Sequence, residues 1–362
     1  MYSKKLVFRN IEFTLQSNNL ESLNKQINHI SQFYTPYLER SIIPEDIKIH
    51  YIEDKKLYEE IIEECKYKKH ILHQSFENQV HKEYQIDSSK KYFIIDNQEY
   101  ICIKDDDNNY KIVSDGRESA IKWPFRIIRE ILVRKNEENN ALFMHGTALT
   151  INNKGILILG NRGSGKTTLA TKLLETEENM GFLSNDRVFL DYFSSASMEY
   201  FPIPVVYAMG TVKNCPNLDK YFKDTRILEK RANKVYESSS INDKVDIPLT
   251  DISKIFKNVE MKSCSNVDMI IFSKLNFDND EALSFHGMSK KESEIKLHQT
   301  CFTMFDWESL RLEWIYKRKN NPPSVIENKI NTIDQIVDNV PIIELDYGVN
   351  VDTKKLIKII KE

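Results

Sequence analysis

Gly160-Asn161-Arg162-Gly163-Ser164-Gly165-Lys166-Thr167 sets three glycines, a lysine and a hydroxyl in the spacing G-x-x-x-x-G-K-[ST], and Thr168 follows with a second hydroxyl. That combination holds phosphate. A triphosphate needs many donors close to its oxygens. Glycines let the backbone curl so that successive N–H groups point inward, and a helix N-terminus adds the positive end of its dipole. Lys166 then reaches the β- and γ-phosphates, and Thr167 places a hydroxyl on Mg²⁺. The expected phosphate-binding set is Gly160, Asn161, Arg162, Gly163, Ser164, Gly165, Lys166, Thr167 and Thr168. The chain has only 10 Gly in 362 residues, yet Gly155, Gly160, Gly163 and Gly165 all lie at or beside this stretch.

Such a loop works only between a strand and a helix. Ile156-Leu157-Ile158-Leu159 before it is a short apolar run, and Leu169 to Glu175 after it is helical in pattern. Upstream, Leu142 to Leu149 and an Asn152-Asn153 turn predict a strand and hairpin leading into the loop. Downstream, Met180 to Leu190 predicts a strand that ends in a carboxylate, Asp186, before the chain reverses into another strand. Phosphate-loop enzymes place an acidic residue at such a strand end, beside Mg²⁺ and the γ-phosphate.

Composition sets wide bounds. The length allows about two domains. Hydrophobic residues make up 41% and charged residues 29%, enough for a core and a well-solvated surface. The balance of 51 basic against 54 acidic side chains gives a net charge of −3 and no basic footprint for nucleic acid. No apolar stretch has signal-peptide or membrane-span length, so the expectation is a cytoplasmic protein without a membrane partner. Cys65, Cys102, Cys215, Cys264 and Cys301 are scattered, without C-x-x-C spacing, and read as reduced thiols.

Along residues 1–138 the pattern predicts a small α+β domain for recognition or packing. Leu6 to Leu15 reads as one or two strands, 19–34 as an amphipathic helix punctuated after by Pro36 and Pro44, Ile47 to Ile52 as a strand and Lys55 to Cys65 as a helix. Three runs, Tyr92 to Ile95, Tyr100 to Ile103 and Tyr110 to Val113, form a meander. The Asp105 to Asn109 gap lacks the glycine and terminal glutamate of a calcium loop and reads as a polar hairpin turn. His70, His73 and His81 have no carboxylate or cysteine placed to complete a metal site. Pro124 opens a helix, and 135–140 is a polar break at which the second domain, 139–362, begins.

Beyond the loop, 217–246 fits a mobile acceptor-binding segment or a solvated helix equally. Val267 to Phe272 is a buried-type strand in which Asp268 comes too early for a metal-binding acid. Residues 290–318 read as largely helical with Trp307 and Trp314 as core, Pro341 to Leu345 as a last strand and Asp352 to Lys361 as a closing helix.

His145-Gly146 before the loop, the loop itself, and Asn185-Asp186-Arg187-Val188 after it make residues 143–190 resemble the catalytic domain of the HPr kinase/phosphorylase family. That family pairs a His-Gly on the preceding strand with the phosphate loop and a strand ending in Asp-Asp. Val340 to Leu345 is similar to the end of HPr-kinase-like proteins of peptide-biosynthesis clusters. The resemblance implies an α/β, mixed-sheet phosphate-loop kinase domain. It implies transfer of a γ-phosphoryl group to a Ser or Thr hydroxyl of a protein or peptide, such as a biosynthetic precursor peptide. The cofactors implied are Mg²⁺ and ATP, or GTP, because the loop does not read the base.

Within that resemblance Asp186 is the general base, or orients the acceptor, and shares Mg²⁺ with Thr167. His145 polarises the γ-phosphate or orients Asp186, or is a strand histidine satisfied by backbone. Lys166 holds the phosphates, and Arg187 neutralises transition-state charge or pairs with a surface acid. Asn185 stands where the family has its first aspartate, which leaves one carboxylate for two tasks unless Asp191 or Glu199 supplies the second. Residues 1–140 do not resemble the N-terminal domain of true HPr kinases, and the long signature tied to phosphorylase activity is absent, so the resemblance points away from a bifunctional enzyme. The rival functions are a nucleotide-dependent switch or binding module and a small-molecule kinase. Oligomeric state stays open.

Overall fold

The structure is a computed structural model and describes residues 1–9, 11–33, 45–74, 80–95, 100–176, 178–224, 243–302, 315–316 and 322–361. Pro36, Pro44, Trp307, Trp314 and the whole basic stretch from Arg226 to Lys234 lie outside the described residues. The chain is α/β, with sheets that mix parallel and antiparallel pairing. It forms two compact units. The first gathers Met1–Ser31, Pro36–Asn139 and Asp306–Val325; the second gathers Gln32–Thr35, Asn140–Phe305 and Ile326–Glu362. A single boundary after 138 was the expectation. The chain instead divides after Asn139 and crosses between units again later.

In the first unit, the strands β1 (Tyr2–Phe8) and β2 (Ile11–Ser17) form an antiparallel hairpin, followed by α1 (Leu20–Ser31), β3 (Glu45–Glu53) and α2 (Lys55–Cys65). Asp54 caps α2 by accepting from the Leu57 N–H at 3.0 Å. Then come β4 (Ile71–Gln74), β5 (Val80–Gln85), β6 (Lys91–Ile95), β7 (Ile101–Lys104), β8 (Asn109–Ser114) and α3 (Trp123–Glu138). The sheet order is β1-β2-β3-β8-β7-β6-β5-β4, parallel only at β2–β3 and β3–β8. Helix α2 lays Tyr58, Ile61 and Cys65 on Ile101, Ile103 and Val113. Between β7 and β8 the Asp106 carboxylate accepts from the Asn108 N–H at 2.7 Å, as a polar hairpin turn should.

Two differences from the sequence reading are instructive. The hairpin β4–β5 was not legible, and it carries His73 and His81. His73 pairs with Glu83 at 2.6 Å, while His81 meets the Tyr100 hydroxyl at 3.0 Å, so the two histidines serve separate partners. The second difference is the polar stretch from 135. It is no break but the end of α3, with Arg134, Lys135, Asn136 and Glu137 all buried. Arg134 donates to Glu137 at 2.8 Å, and the Tyr316 hydroxyl donates to Glu138 at 3.0 Å. The cover thus comes from a residue far along the chain, invisible to local pattern.

The second unit begins with β9 (Leu142–Met144), β10 (Gly146–Ile151) and β11 (Lys154–Leu159), followed by α4 (Lys166–Leu174), β12 (Met180–Ser184), β13 (Val188–Tyr192) and β14 (Ala196–Tyr200). Next are β15 (Val205–Ala208), α5 (Met209–Lys213), α6 (Pro216–Asp224), β16 (Lys244–Ile247), α7 (Ile252–Ile255), β17 (Val259–Met261), β18 (Cys264–Asn266), β19 (Met269–Asn276) and β20 (Leu283–Gly287). Helix α8 (Lys290–Thr300), α9 (Pro322–Asn339), β21 (Ile342–Gly348) and α10 (Thr353–Lys361) close the chain. The larger sheet runs β17-β12-β10-β11-β19-β21-β20, with β11, β19 and β21 mutually parallel. Ile156 to Leu159 is fully buried, which is why this strand reads as an unbroken apolar run rather than an alternating one. Helix α4 packs on β10, β11 and β19, while the sheet β18-β14-β13-β9 lies against β10, β11 and β12. Gly155 has no room for a side chain, because a Cβ there would strike the Asn266 carbonyl. Asp268 is spent on structure, accepting from the Gly155 N–H at 2.6 Å. No described helix is long and apolar enough to cross a membrane.

Burial pushes the Glu130 carboxyl of α3 up to about 7, against the pull of Arg134. The unfolded chain releases this proton first, so stability falls as pH rises from about 4.5 to about 7. Glu130→Gln removes that dependence. Its thermal midpoint is expected to gain on wild type between pH 5 and pH 8, by up to about 3 kcal/mol of stability across the window. Parallel midpoint curves for the two proteins would show the carboxyl to be ionised throughout.

Candidate functional site

The phosphate loop leaves the C-terminal end of β11 and turns into α4. Its conformation demands glycine: Gly160, Gly163 and Gly165 take φ of 144°, 84° and 89°. At Gly165 a Cβ would also press on Leu275 at 2.8 Å and on the Tyr347 ring. Neighbouring strands clamp the loop. The Leu275 N–H donates to the Ser164 carbonyl at 3.0 Å, Ser164 Oγ lies 3.3 Å from Ser273 Oγ, and the buried Tyr347 hydroxyl donates to the Gly165 carbonyl at 2.6 Å. The side chain of Lys166, 8% exposed, folds back onto the carbonyls of Gly160 (2.7 Å) and Asn161 (3.0 Å). Burial lowers its pKa to about 8; Asp186 pulls the other way, while Arg187 and Lys244 add to the fall.

Beside the loop, the turn from β12 to β13 presents Asn185 and Asp186. Ser184 closes it by donating to the Arg187 carbonyl at 2.6 Å, and Asp186 sits in the left-handed region at φ 69°. One Asp186 oxygen meets His145 Nε2 at 3.1 Å and the other accepts from Arg187 at 2.7 Å. Partial burial would raise the Asp186 pKa, but the His145 hydrogen bond and the charges of Arg187, His145 and Lys166 outweigh it and hold the carboxyl at about 2. His145 stands between β9 and β10, anchored by its N–H donating to the Thr300 carbonyl at 2.8 Å. The Phe302 ring lies 5.2 Å from the imidazole and 3.8 Å from the guanidinium of Arg187, bracing both.

A cavity of about 610 Å³ opens in front of these groups. Its walls bring together His145, Lys166, Thr167 and Asp186 with Arg162, Gly163, Gly165 and Thr168 of the loop. Gly160, Asn161 and Ser164 do not line it; the first two hold Lys166 and the third bonds to Leu275 on β19. Arg187 does not line it either and is paired to Asp186. Asp191 and Glu199, the expected spare carboxylates, are 3% and 1% exposed on β13 and β14 and do not line the cavity. They lie on the strands that follow the turn, and the sheet buries them there.

Asn185 is 3% exposed, and its side-chain oxygen accepts from two hydroxyls, Thr147 at 2.7 Å and Thr167 at 3.1 Å. The Thr167 proton is therefore committed and its oxygen lone pairs stay free to ligate. Among the described residues no three His, Cys, Asp or Glu side chains gather to cage a metal. The oxygen donors at the wall, Thr167 and Asp186, suit a hard ion that takes its remaining ligands from water and phosphate, as Mg²⁺ does. Sequence reasoning missed Thr147, Tyr347, Ser273 and Phe302. Thr147 carried the one available signal, lying two residues beyond His145 on a strand; the others come from distant segments.

No protein-family model matches this chain, and no curated protein matches it. Among solved structures, the Hpr(Ser) kinase/phosphatase from Coxiella burnetii is similar at 16% identity over 40% of this chain and 72% of that one, with a TM-score of 0.21. A likeness that slight assigns neither family nor activity, and the chemistry of the site has to be argued from its own geometry.

Proposed function

We propose that this protein transfers the γ-phosphoryl group of ATP to a Ser or Thr hydroxyl of a protein or peptide, a biosynthetic precursor peptide being the class that the sequence resemblance suggests. One observation carries the reading. A phosphate loop with three left-handed glycines and a buried lysine shares a single cavity with an ionised carboxylate at the end of β12.

The loop N–H groups and Lys166 hold the β- and γ-phosphates. Thr167 and Asp186 would hold Mg²⁺, which when bound offsets charge on the phosphate oxygens. The acceptor oxygen bonds to the γ-phosphorus as the bond to the β–γ bridging oxygen breaks, and ADP leaves. The hydroxyl proton passes to Asp186. A carboxylate with so low a pKa is a poor base early in the reaction, but a loose transition state asks little of it until late. Asp186 first orients the hydroxyl by accepting its hydrogen bond, and His145 and Arg187 fix its direction.

A second reading has one observation in its favour. Both Asp186 oxygens are engaged, one by His145 and one by Arg187, and its neighbour Asn185 is neutral, as suits a nucleotide-dependent switch that binds without transfer.

Mass spectrometry of candidate peptides incubated with Mg²⁺-ATP separates the two. The kinase reading expects a phosphate-sized mass gain, lowered about 100-fold or more in Lys166→Ala and Asp186→Asn with unchanged circular dichroism. Equal transfer by Asp186→Asn removes its role; tight ATP binding with no transfer to any acceptor favours the switch.

The depressed pKa of Lys166 gives a further test. Below about pH 8 the ammonium is charged whether or not phosphate is present; above it the empty loop loses the proton and phosphate restores it. ATP binding at pH 8.5 to 9.5 is expected to take up a proton, seen as a calorimetric enthalpy that varies with the buffer. Affinity then falls with rising pH by up to about tenfold per unit. Buffer-independent heats at pH 9 would mean that Lys166 is fully charged in the empty loop.

A further inference from the structure

We infer that Phe277 is the stacking platform for a purine base, so that the cavity takes a purine nucleoside triphosphate rather than a bare polyphosphate. This rests on the phosphate-site reading above and adds where the nucleoside lies.

Phe277 is 76% exposed, a large apolar surface to leave in water on a residue that lines the cavity. The loop bearing it is tightly fixed. The Asn276 side-chain oxygen accepts from the N–H groups of Asp278 and Asn279, both at 3.0 Å, and its amide donates to Asp346 at 3.1 Å. The Gly348 N–H donates to the Ala282 carbonyl at 2.9 Å and the Asn350 N–H to the Asp280 carbonyl at 2.6 Å. Gly348 permits this approach, since a Cβ there would collide with the Asp280 backbone. An aromatic ring is thus held out on a rigid loop at the rim of the cavity that the phosphate loop commands.

The wall around it has two characters. Arg162, Gly163 and Lys166 supply charge and N–H groups for phosphate, while Leu275, Phe277 and Val349 supply an apolar face. Leu275 links them, because its N–H bonds to Ser164 of the loop. A ligand that is anionic at one end and flat and apolar at the other matches this division, and a nucleotide has that form. A purine offers the larger face to stack. Asp280, on the same wall, is an acceptor for ring or exocyclic N–H groups, which adenine and guanine both present.

The test compares Mg²⁺-ATP with Mg²⁺-tripolyphosphate by titration calorimetry on the full chain. Wild type is expected to bind ATP about ten- to a hundredfold more tightly. Phe277→Ala should erase most of that advantage and leave tripolyphosphate affinity unchanged; Phe277→Trp should restore it. The residue is exposed, so folding is not at stake, and thermal midpoints check this. An ATP-to-tripolyphosphate ratio unchanged in Phe277→Ala overturns this inference alone. Failure of both ligands to bind the folded wild type overturns the phosphate-site reading and this one with it.

Discussion

A lysine ammonium taken out of water costs several kcal/mol unless acceptors replace the lost hydration, and Lys166 is 8% exposed. Its acceptors are the carbonyls of Gly160 and Asn161, six and five residues behind it on the same loop. The loop can offer them only by curling, and the curl forces left-handed φ at Gly160, Gly163 and Gly165. A loop so curled is stable only when gripped from outside, by Ser273 and Leu275 at the end of β19 and Tyr347 on β21. The parallel strands β11, β19 and β21 therefore do more than form a core. They set the frame within which one buried cation waits beside a cavity for an anion to complete its shell.

The same need for balance governs the other wall. Asp186 lies between His145 and Arg187 with Lys166 near, and the His145 hydrogen bond and these neighbouring charges hold its carboxyl at about 2 in spite of partial burial. The carboxylate in turn holds the imidazole and the guanidinium on either side of it. Phe302 contributes a ring face to both. What reaches the cavity is an ionised group whose direction is fixed by His145 between β9 and β10 and by Arg187 on its own turn, both braced by Phe302 after α8. A carboxylate held in this way can accept a hydrogen bond in a set direction without a high pKa.

Most of this site was readable one residue at a time. The glycine and lysine spacing located the loop because its chemistry is local; Asp186 stood out at the end of a short apolar run, and His145 through the resemblance of its His-Gly pair to a known kinase family. Helices and strands with clear periodicity, such as Lys55–Cys65 and Val188–Tyr192, lie where the pattern put them. The failures share a cause. Tyr347, Ser273 and Phe302 act through contacts from far along the chain, and no local pattern marks them. The end of α3 read as a polar break because residues from Lys135 to Asn140 are all polar, yet Lys135, Asn136 and Glu137 are buried there and Glu137 is paired with Arg134. Asp191 and Glu199 were offered as spare carboxylates, but they lie on β13 and β14, where nearly every residue is buried.

Asn185 shows why a residue type alone is a weak guide to lost function. Read beside an Asp-Asp pattern, it is a missing carboxylate. In place, its oxygen accepts from Thr147 and Thr167, and the second of these contacts commits the Thr167 proton away from the cavity. A carboxylate would accept the same two bonds and add a negative charge at 3% exposure, next to Asp186, where like charges disfavour each other. The amide keeps the orienting contact without that repulsion. It leaves Asp186 as the ionised member, already matched by His145 and Arg187. The amide thus keeps the geometry that a carboxylate would give here, without adding its charge.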